Sequence, residues 1–209
     1  MLANPRLRIL LPLCALLTFF ACQFTTEPST PGTQLPDQRR QKRSETRPTR
    51  APKADAGRPT LELSRAHGRP GASVSVSATL DTGGAKIAGT QNDIVFDPAQ
   101  VAIVPTAKKK PDCRANSGLG KEGTAFSYLP SGCRPGRGGT CTSVRALVLS
   151  LSNVDPIPSG SVLYTCSVQI AADARAGAQK LNNTRVGFSS PSGEAVNGAG
   201  TDGSVAVER

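Results

Sequence analysis

Hydrophobic and polar positions alternate in short runs along residues 60–209. In ASVSVSATL (72–80), Val, Ala and Leu occupy every second position and Ser or Thr the positions between, which predicts a strand with one buried face. No segment has the 3.6-residue period of a long helix, and turn residues recur at short spacing. The pattern therefore predicts an all-β fold, a nine-stranded antiparallel jelly-roll β-sandwich. The predicted strands are 60–64, 72–80, 85–96, 101–105, 124–129, 143–152, 162–172, 181–190 and 203–208.

Two of these strands have special patterns. SVRALVLSLS (143–152) is nearly continuously apolar, which predicts a strand that is covered on both faces. VLYTCSVQIAA (162–172) alternates and places Tyr164, Cys166, Val168 and Ile170 on one side. Cys166 is therefore expected to point into the core.

The N-terminal 22 residues have the layout of an export signal. A short basic start precedes an apolar run at 9–21, which is too short for a good membrane-spanning helix. The end of the run, FFAC, resembles a bacterial lipobox, and Cys22 is the expected lipid attachment site, although ordinary signal cleavage nearby is the alternative. We expect an outer-membrane or cell-surface lipoprotein, anchored to the membrane only through its lipid, or otherwise a secreted protein.

Residues 23–59 are rich in Pro, Thr and charged residues and contain almost no apolar side chains. Such a segment buries too little surface to offset its ordering entropy, so we expect a disordered linker before the domain at 60–209. The chain carries a formal net charge of +10, but 60–209 contains 15 basic and 11 acidic residues. Most of the excess lies N-terminal to the domain, and no aromatic residues interleave with it, so nucleic acid is not expected as a partner.

Four cysteines remain in the domain: Cys113, Cys133, Cys141 and Cys166. An even number in an exported domain favours two disulfides, and neither a C-x-x-C motif nor a pair of histidines supports a metal site. Three connectivities are possible. His67 is the sole histidine and is expected in a turn, and the chain shows no paired-carboxylate or phosphate-loop motif. No catalytic residue and no cofactor is therefore expected.

Four segments in order resemble the cohesin domain of cellulosome scaffolds. They are GRPGASVSVSATL (68–80), GTQNDIVFDPAQVAIV (89–104), SGSVLYTCSVQIAADARAG (159–177) and GSVAVE (203–208), which are similar to the family's strand and turn motifs. The resemblance implies a jelly-roll sandwich that binds a dockerin with the sheet containing 85–96, 124–129, 143–152 and 162–172. It also implies that the strands 143–152 and 162–172 start at the same end of the sheet, and hence that the disulfide pairs are Cys141–Cys166 and Cys113–Cys133.

Two inserts, KKKPDCRANSGLGKEGT (108–124) and SGCRPGRGGTC (131–141), depart from the cohesin pattern. Lys108, Lys109 and Lys110 are expected in a solvated loop that could also meet acidic glycans. Together these features predict a monomeric, non-catalytic binding module that recognises a dockerin-like protein or a polysaccharide and, by resemblance, serves polysaccharide breakdown. The alternatives are an envelope lipoprotein whose sandwich is only a spacer and, third, an enzyme.

Overall fold

The computed structural model describes residues 57–208. The predicted export signal, Cys22 and residues 23–56 of the predicted linker lie outside the described residues. Within 57–208, no helix is long and apolar enough to cross a membrane.

The described chain forms thirteen strands and one short 3-10 helix at Ser117–Leu119. The strands are β1 (Thr60–Leu63), β2 (Arg65–Gly68), β3 (Ser73–Asp81), β4 (Gly89–Val95), β5 (Val101–Ile103), β6 (Cys113–Ala115), β7 (Ala125–Leu129), β8 (Ser143–Val148), β9 (Ser161–Ile170), β10 (Gly177–Ser189), β11 (Ala195–Val196), β12 (Ala199–Thr201) and β13 (Gly203–Val207).

These strands form two sheets. In the first sheet the order is β12-β1-β3-β9-β5, and β6 pairs with β9 as well. In the second sheet the order is β2-β13-β10-β4-β8-β7, and β11 pairs with β10. The prediction of an all-β sandwich is confirmed.

The core lies between the sheets and is filled by alternate residues of the long strands. In β3, Val76, Ala78 and Leu80 are buried, whereas Ser73 and Ser75 are exposed, as the alternating pattern predicts. Most of the core residues are aliphatic and bring no polar atoms that need a partner. The largest fully buried side chains include Leu61, Leu63, Ile87, Ile94, Ile103, Leu163, Ile170 and Leu181.

One polar chain of hydrogen bonds crosses this core. The buried Tyr164 hydroxyl donates to Asn92 Oδ1 at 2.8 Å, and Asn92 Nδ2 donates to Asn183 Oδ1 at 2.8 Å. Asn183 Nδ2 donates in turn to the Leu61 carbonyl oxygen at 2.6 Å. Burial raises the pKa of the Tyr164 hydroxyl, which stays protonated as a donor. The chain of bonds joins the two sheets at fixed positions.

The nine predicted strands correspond to nine of the thirteen. The other four, β2, β6, β11 and β12, are pieces of two to four residues with no apolar alternation, and their neighbours hold them in place. The arrangement is also not purely antiparallel, because β1 pairs with β12, and β2 with β13, in parallel. His67 lies in β2, so its expected place in a turn is wrong.

Two expectations about β9 are wrong as well. The predicted strand 162–172 lies in the first sheet, where β9 pairs with β3, β5 and β6. In the second sheet, the strand beside β4 is β10. The expected disulfide pairs therefore fail. Cys113 bonds to Cys166, its direct partner across β6 and β9, and Cys133 bonds to Cys141 within one loop.

Candidate functional site

Four adjacent strands, β7, β8, β4 and β10, build the outer face of the second sheet. The registers of β7, β8, β4 and β10 align its outward residues in three rows across the sheet. The first row contains Ala125, Leu147, Gln91 and Gly187; the second contains Ser127, Arg145, Asp93 and Thr184; the third contains Leu129, Ser143, Val95 and Asn182. Among the three rows, only the second contains charged residues, Arg145 and Asp93.

A charged cluster occupies the centre of this face. The Arg145 guanidinium donates two parallel hydrogen bonds to the Asp93 carboxylate, from Nε to Oδ1 at 2.7 Å and from Nη2 to Oδ2 at 2.8 Å. Arg185 Nε lies 3.7 Å from Asp93 Oδ2. The hydrogen bonds to Asp93 raise the pKa of the Arg145 guanidinium. Two cations thus share one carboxylate, and the cluster has a net charge of +1.

Arg185 is the accessible member of the cluster. Its side chain is 73% exposed, against 36% for Arg145 and 5% for Asp93. Asp93 and Arg145 hold each other in fixed positions, whereas most of the Arg185 side chain faces solvent. The cluster therefore offers hydrogen-bond donors and a positive charge to an acidic or carbonyl group of a partner.

The backbone at Arg185 is unusual. Its φ is 50°, in the left-handed region that non-glycine residues seldom adopt. The pairing of β10 with β4 shifts register between Thr184 and Gly187, so Arg185 lies in a β-bulge. A bulge redirects the side chain of an edge or binding strand. Here the bulge carries the charged Arg185 side chain on a strained backbone, and backbone strain of this kind tends to occur at functional sites.

Apolar residues surround the charged cluster. Val95, Leu129, Leu147 and Leu149 are each partly exposed and lie outside the core cluster. Leu147 and Leu149 line a notch of about 220 Å³, together with Gly187 and Ser189. The notch can receive an apolar side chain of a partner, since apolar area and a few placed polar groups make up a typical recognition surface.

A clamped loop borders the same face. Lys121 is buried, and its Nζ donates to the carbonyl oxygens of Asn153 and Asp155 at 2.8 Å each. Burial lowers the pKa of the Lys121 ammonium. The neighbouring Glu122 accepts hydrogen bonds from Ser150 and Ser152. These bonds fix the loop after β8, which presents Leu151 with 93% of its surface exposed.

The residues predicted from sequence lie elsewhere. All four domain cysteines are in disulfides, so none of them is a free nucleophile or metal ligand. His67 is exposed on β2, far along the sheet order from β7. Across residues 57–208, no group of three or more His, Cys, Asp or Glu side chains could hold a metal ion. Sequence reasoning missed Asp93, Arg145 and Arg185, whose signal is a charged residue inside each of three predicted strands.

No protein-family model matches the chain, and no curated protein matches it in sequence. Solved structures do match it. One is CaCohA2 of Clostridium acetobutylicum in complex with CaDoc0917, at 17% identity and a TM-score of 0.58, over 72% of this chain and 99% of that chain. Another is the sixth cohesin of scaffoldin B from Acetivibrio cellulolyticus in complex with a dockerin, at 18% identity and a TM-score of 0.57, over 72% of this chain and 99% of that one.

A third similar structure is a non-cellulosomal cohesin of the archaeon Archaeoglobus fulgidus. It is 12% identical, with a TM-score of 0.52 over 73% of this chain and 93% of that chain. At such low identity the likeness concerns the fold alone. The described domain has the cohesin fold.

Proposed function

We propose that the chain is a non-catalytic binding module that recognises a dockerin-like protein with the outer face of its second sheet. The observation that carries the proposal is the composition of this face: a built charged cluster with an exposed Arg185, set among partly exposed leucines and a notch. Surfaces of this kind supply apolar contact area and a few directional polar contacts. Similar structures solved with dockerins support the choice of partner.

A neutral polysaccharide is the weaker candidate for this face. The five aromatic residues of the described domain are Phe96, Phe126, Tyr128, Tyr164 and Phe188, and each of them is buried or partly buried. None belongs to the three outward rows, so the face has no ring on which a sugar could stack. A protein partner fits the leucines and the guanidinium better.

The proposal includes an exported location. Two disulfides fit an oxidising compartment outside the cytoplasm. A lipid on Cys22 would anchor the chain to a membrane, and residues 23–59 would hold the domain away from that membrane. Mass spectrometry of the mature N-terminus tests this part, because a diacylated Cys22 and an ordinary cleaved terminus differ in mass.

The binding proposal is tested with two substitutions on the face. Leu147→Arg places a charge beside the notch. Arg185→Gly removes the exposed guanidinium and suits the positive φ, so the fold should be kept or slightly stabilised. Ser75→Arg, on the exposed outer face of the other sheet, is the matched control. Each full-length variant is used to capture exported proteins of the source organism.

We expect the wild-type chain and Ser75→Arg to retain a protein with a dockerin-like module, and both face variants to lose it. The Kd for the purified partner should rise about tenfold or more, as truncation at an interface hot spot does. If no dockerin-like protein is retained, or if the control loses it equally, the proposed face is wrong. If the chain retained no ligand at all, this would favour the alternative in which the sandwich is only a spacer.

A further inference from the structure

The positive charge of the described domain is concentrated in one stretch. Residues 57–208 contain 15 basic and 11 acidic residues, an excess of four. Residues 105–141 alone contain seven basic and two acidic residues, an excess of five. The rest of the domain is therefore close to neutral. This stretch includes both inserts that depart from the cohesin pattern.

The first basic loop is a tight turn between the bridged residues Pro105 and Pro111. The Thr106 backbone N–H donates to the Lys110 carbonyl oxygen, and the Lys109 N–H donates to the Thr106 carbonyl oxygen, both at 2.8 Å. Lys109 has a φ of 58°, a left-handed conformation that closes the turn. Lys108, Lys109 and Lys110 are all exposed at its tip, so the turn concentrates three positively charged side chains.

The second basic loop lies beside the first and is closed by the disulfide between Cys133 and Cys141. The Arg134 carbonyl oxygen accepts hydrogen bonds from the N–H groups of Thr140 and Cys141, at 2.9 and 3.2 Å. Arg134 is exposed. A short covalent ring with internal hydrogen bonds is preorganised, which lowers the ordering cost of binding.

A cleft of about 310 Å³ separates the two loops. Its polar lining includes Lys109, Lys110, Ser127, Ser131 and the backbone of Gly132. This volume is at the lower end of the range for small-ligand pockets, about 300–1,000 Å³. The two lysines are available to a ligand, because within residues 57–208 the salt bridges are confined to Asp93 and its two arginines.

One carboxylate lies near the cleft. Asp112 follows the lysine turn and, with burial as the larger cause, raises the pKa of the Tyr128 hydroxyl. That hydroxyl donates to the Ile103 carbonyl oxygen at 2.8 Å and is already engaged in the fold. Asp112 is partly buried, whereas the three lysines and Arg134 are exposed. The accessible charge at the cleft mouth is therefore positive.

We propose that this cleft binds the carboxylate or sulfate groups of an anionic polysaccharide. Ammonium groups on a fixed turn form charge-assisted hydrogen bonds with such anions. The hydroxyls of Ser127 and Ser131 can bond the sugar hydroxyls beside them. Recognition through charge explains how a domain without exposed aromatic rings can bind a glycan.

A saccharide fits the cleft better than an acidic protein does. Protein interfaces have apolar or aromatic centres. The cleft walls expose more polar than apolar surface, although Tyr128, Cys133 and Pro135 also line them. The site also differs from the dockerin-like face. It borders that face only at Ser127, on the edge strand β7, and it uses neither Arg185 nor the leucine notch.

The test is a titration of the full chain with dextran sulfate, polygalacturonate and neutral dextran at physiological salt. The variant Lys109→Gln/Lys110→Gln removes the two cleft ammonium groups. The variant Arg65→Gln/Lys86→Gln, at two exposed positions outside the cleft, is matched in charge. Both double variants are also made in a chain that carries Arg39→Gln, Arg40→Gln, Lys42→Gln and Arg43→Gln. These four changes remove binding by the basic run at 39–43.

We expect both anionic polymers to bind and neutral dextran not to bind. The cleft variant should weaken binding about tenfold, the matched variant much less, and the pattern should persist in the chain with the altered basic run. Leu147→Arg should not weaken this binding, so a loss of polysaccharide binding can be told apart from a loss of the dockerin-like function. The proposal would be overturned if the cleft variant and the matched variant lost binding equally. It would also be overturned if altering the basic run abolished all binding, or if the wild-type chain bound neither anionic polymer. Polyglutamate and phosphatidylglycerol vesicles are titrated in the same way. If either bound more tightly than the two anionic polysaccharides, the proposal would be wrong and the cleft would be assigned to another class of partner.

Discussion

Removing each disulfide tests the observed pairing through stability. Cys113 and Cys166 are separated by 53 residues, and Cys133 and Cys141 by 8. In the chain-entropy model, these loops correspond to about 4 and about 2.5 kcal/mol of stabilisation. Cys166 is also buried in the core, so its replacement leaves unfilled space and adds to the cost. Cys113→Ala/Cys166→Ala should therefore destabilise the domain clearly more than Cys133→Ala/Cys141→Ala.

Urea unfolding of the wild-type chain and the two double variants provides the measurement. The midpoint should fall in both variants, and further when the bond across β6 and β9 is absent. The m-value should rise, because an unfolded chain without the cross-link exposes more surface. In thermal melts the larger loss corresponds to a decrease in Tm of about 8–16 °C for a domain of this size. An equal or reversed order of the two losses would refute the pairing or the entropic argument.

Two further substitutions test single polar groups. Hydrogen bonds from Ser150 and Ser152 lower the pKa of Glu122 from 4.5 to about 2, so its stabilising effect is full above pH 4.5 and disappears as the pH falls through about 2. Glu122→Gln should therefore reduce the loss of Tm across this window, and an unchanged pH profile would contradict the role of these bonds. Thr90 Oγ1 is buried without a hydrogen-bond partner among the described residues. Thr90→Val should raise the free energy of unfolding by about 1 kcal/mol in urea titrations, and a decrease would show that the hydroxyl has a partner.

The long strands could be predicted from sequence because each one buries alternate residues, and this burial leaves a period of two in the sequence. The short strands could not. β6 consists of Cys-Arg-Ala inside a Gly-rich insert, and its pairing with β9 depends on a neighbour that the local pattern does not show. The disulfide pairing failed for the same reason. It required knowing which sheet contains β9, and periodicity gives the faces of a strand but not its sheet.

The charged cluster was partly predictable. Arg145 interrupts the apolar run at 143–152, and Asp93 lies inside the predicted strand 85–96. A charge inside a strand commonly has an opposite charge on the neighbouring strand. The register that sets them side by side depends on the pairing of β4 with β8, which the sequence does not specify. Arg185 could not be identified, because its importance comes from a bulge and a positive φ. Gly187 two residues later is the one local sign of irregular pairing.

β8 connects the sequence pattern with the proposed function. Its nearly continuous apolar run predicts burial on both faces, yet the structure covers only the inner face, with Val144, Ala146 and Val148 in the core. Leu147 on the outer face stays partly exposed beside Arg145. An uncovered apolar strand face favours edge and face association, which proteins ordinarily avoid by placing charge there. A partner that covers this face would give β8 the two-sided burial that its sequence predicts, with the exposed guanidinium of Arg185 in the charged cluster to select an acidic or carbonyl group.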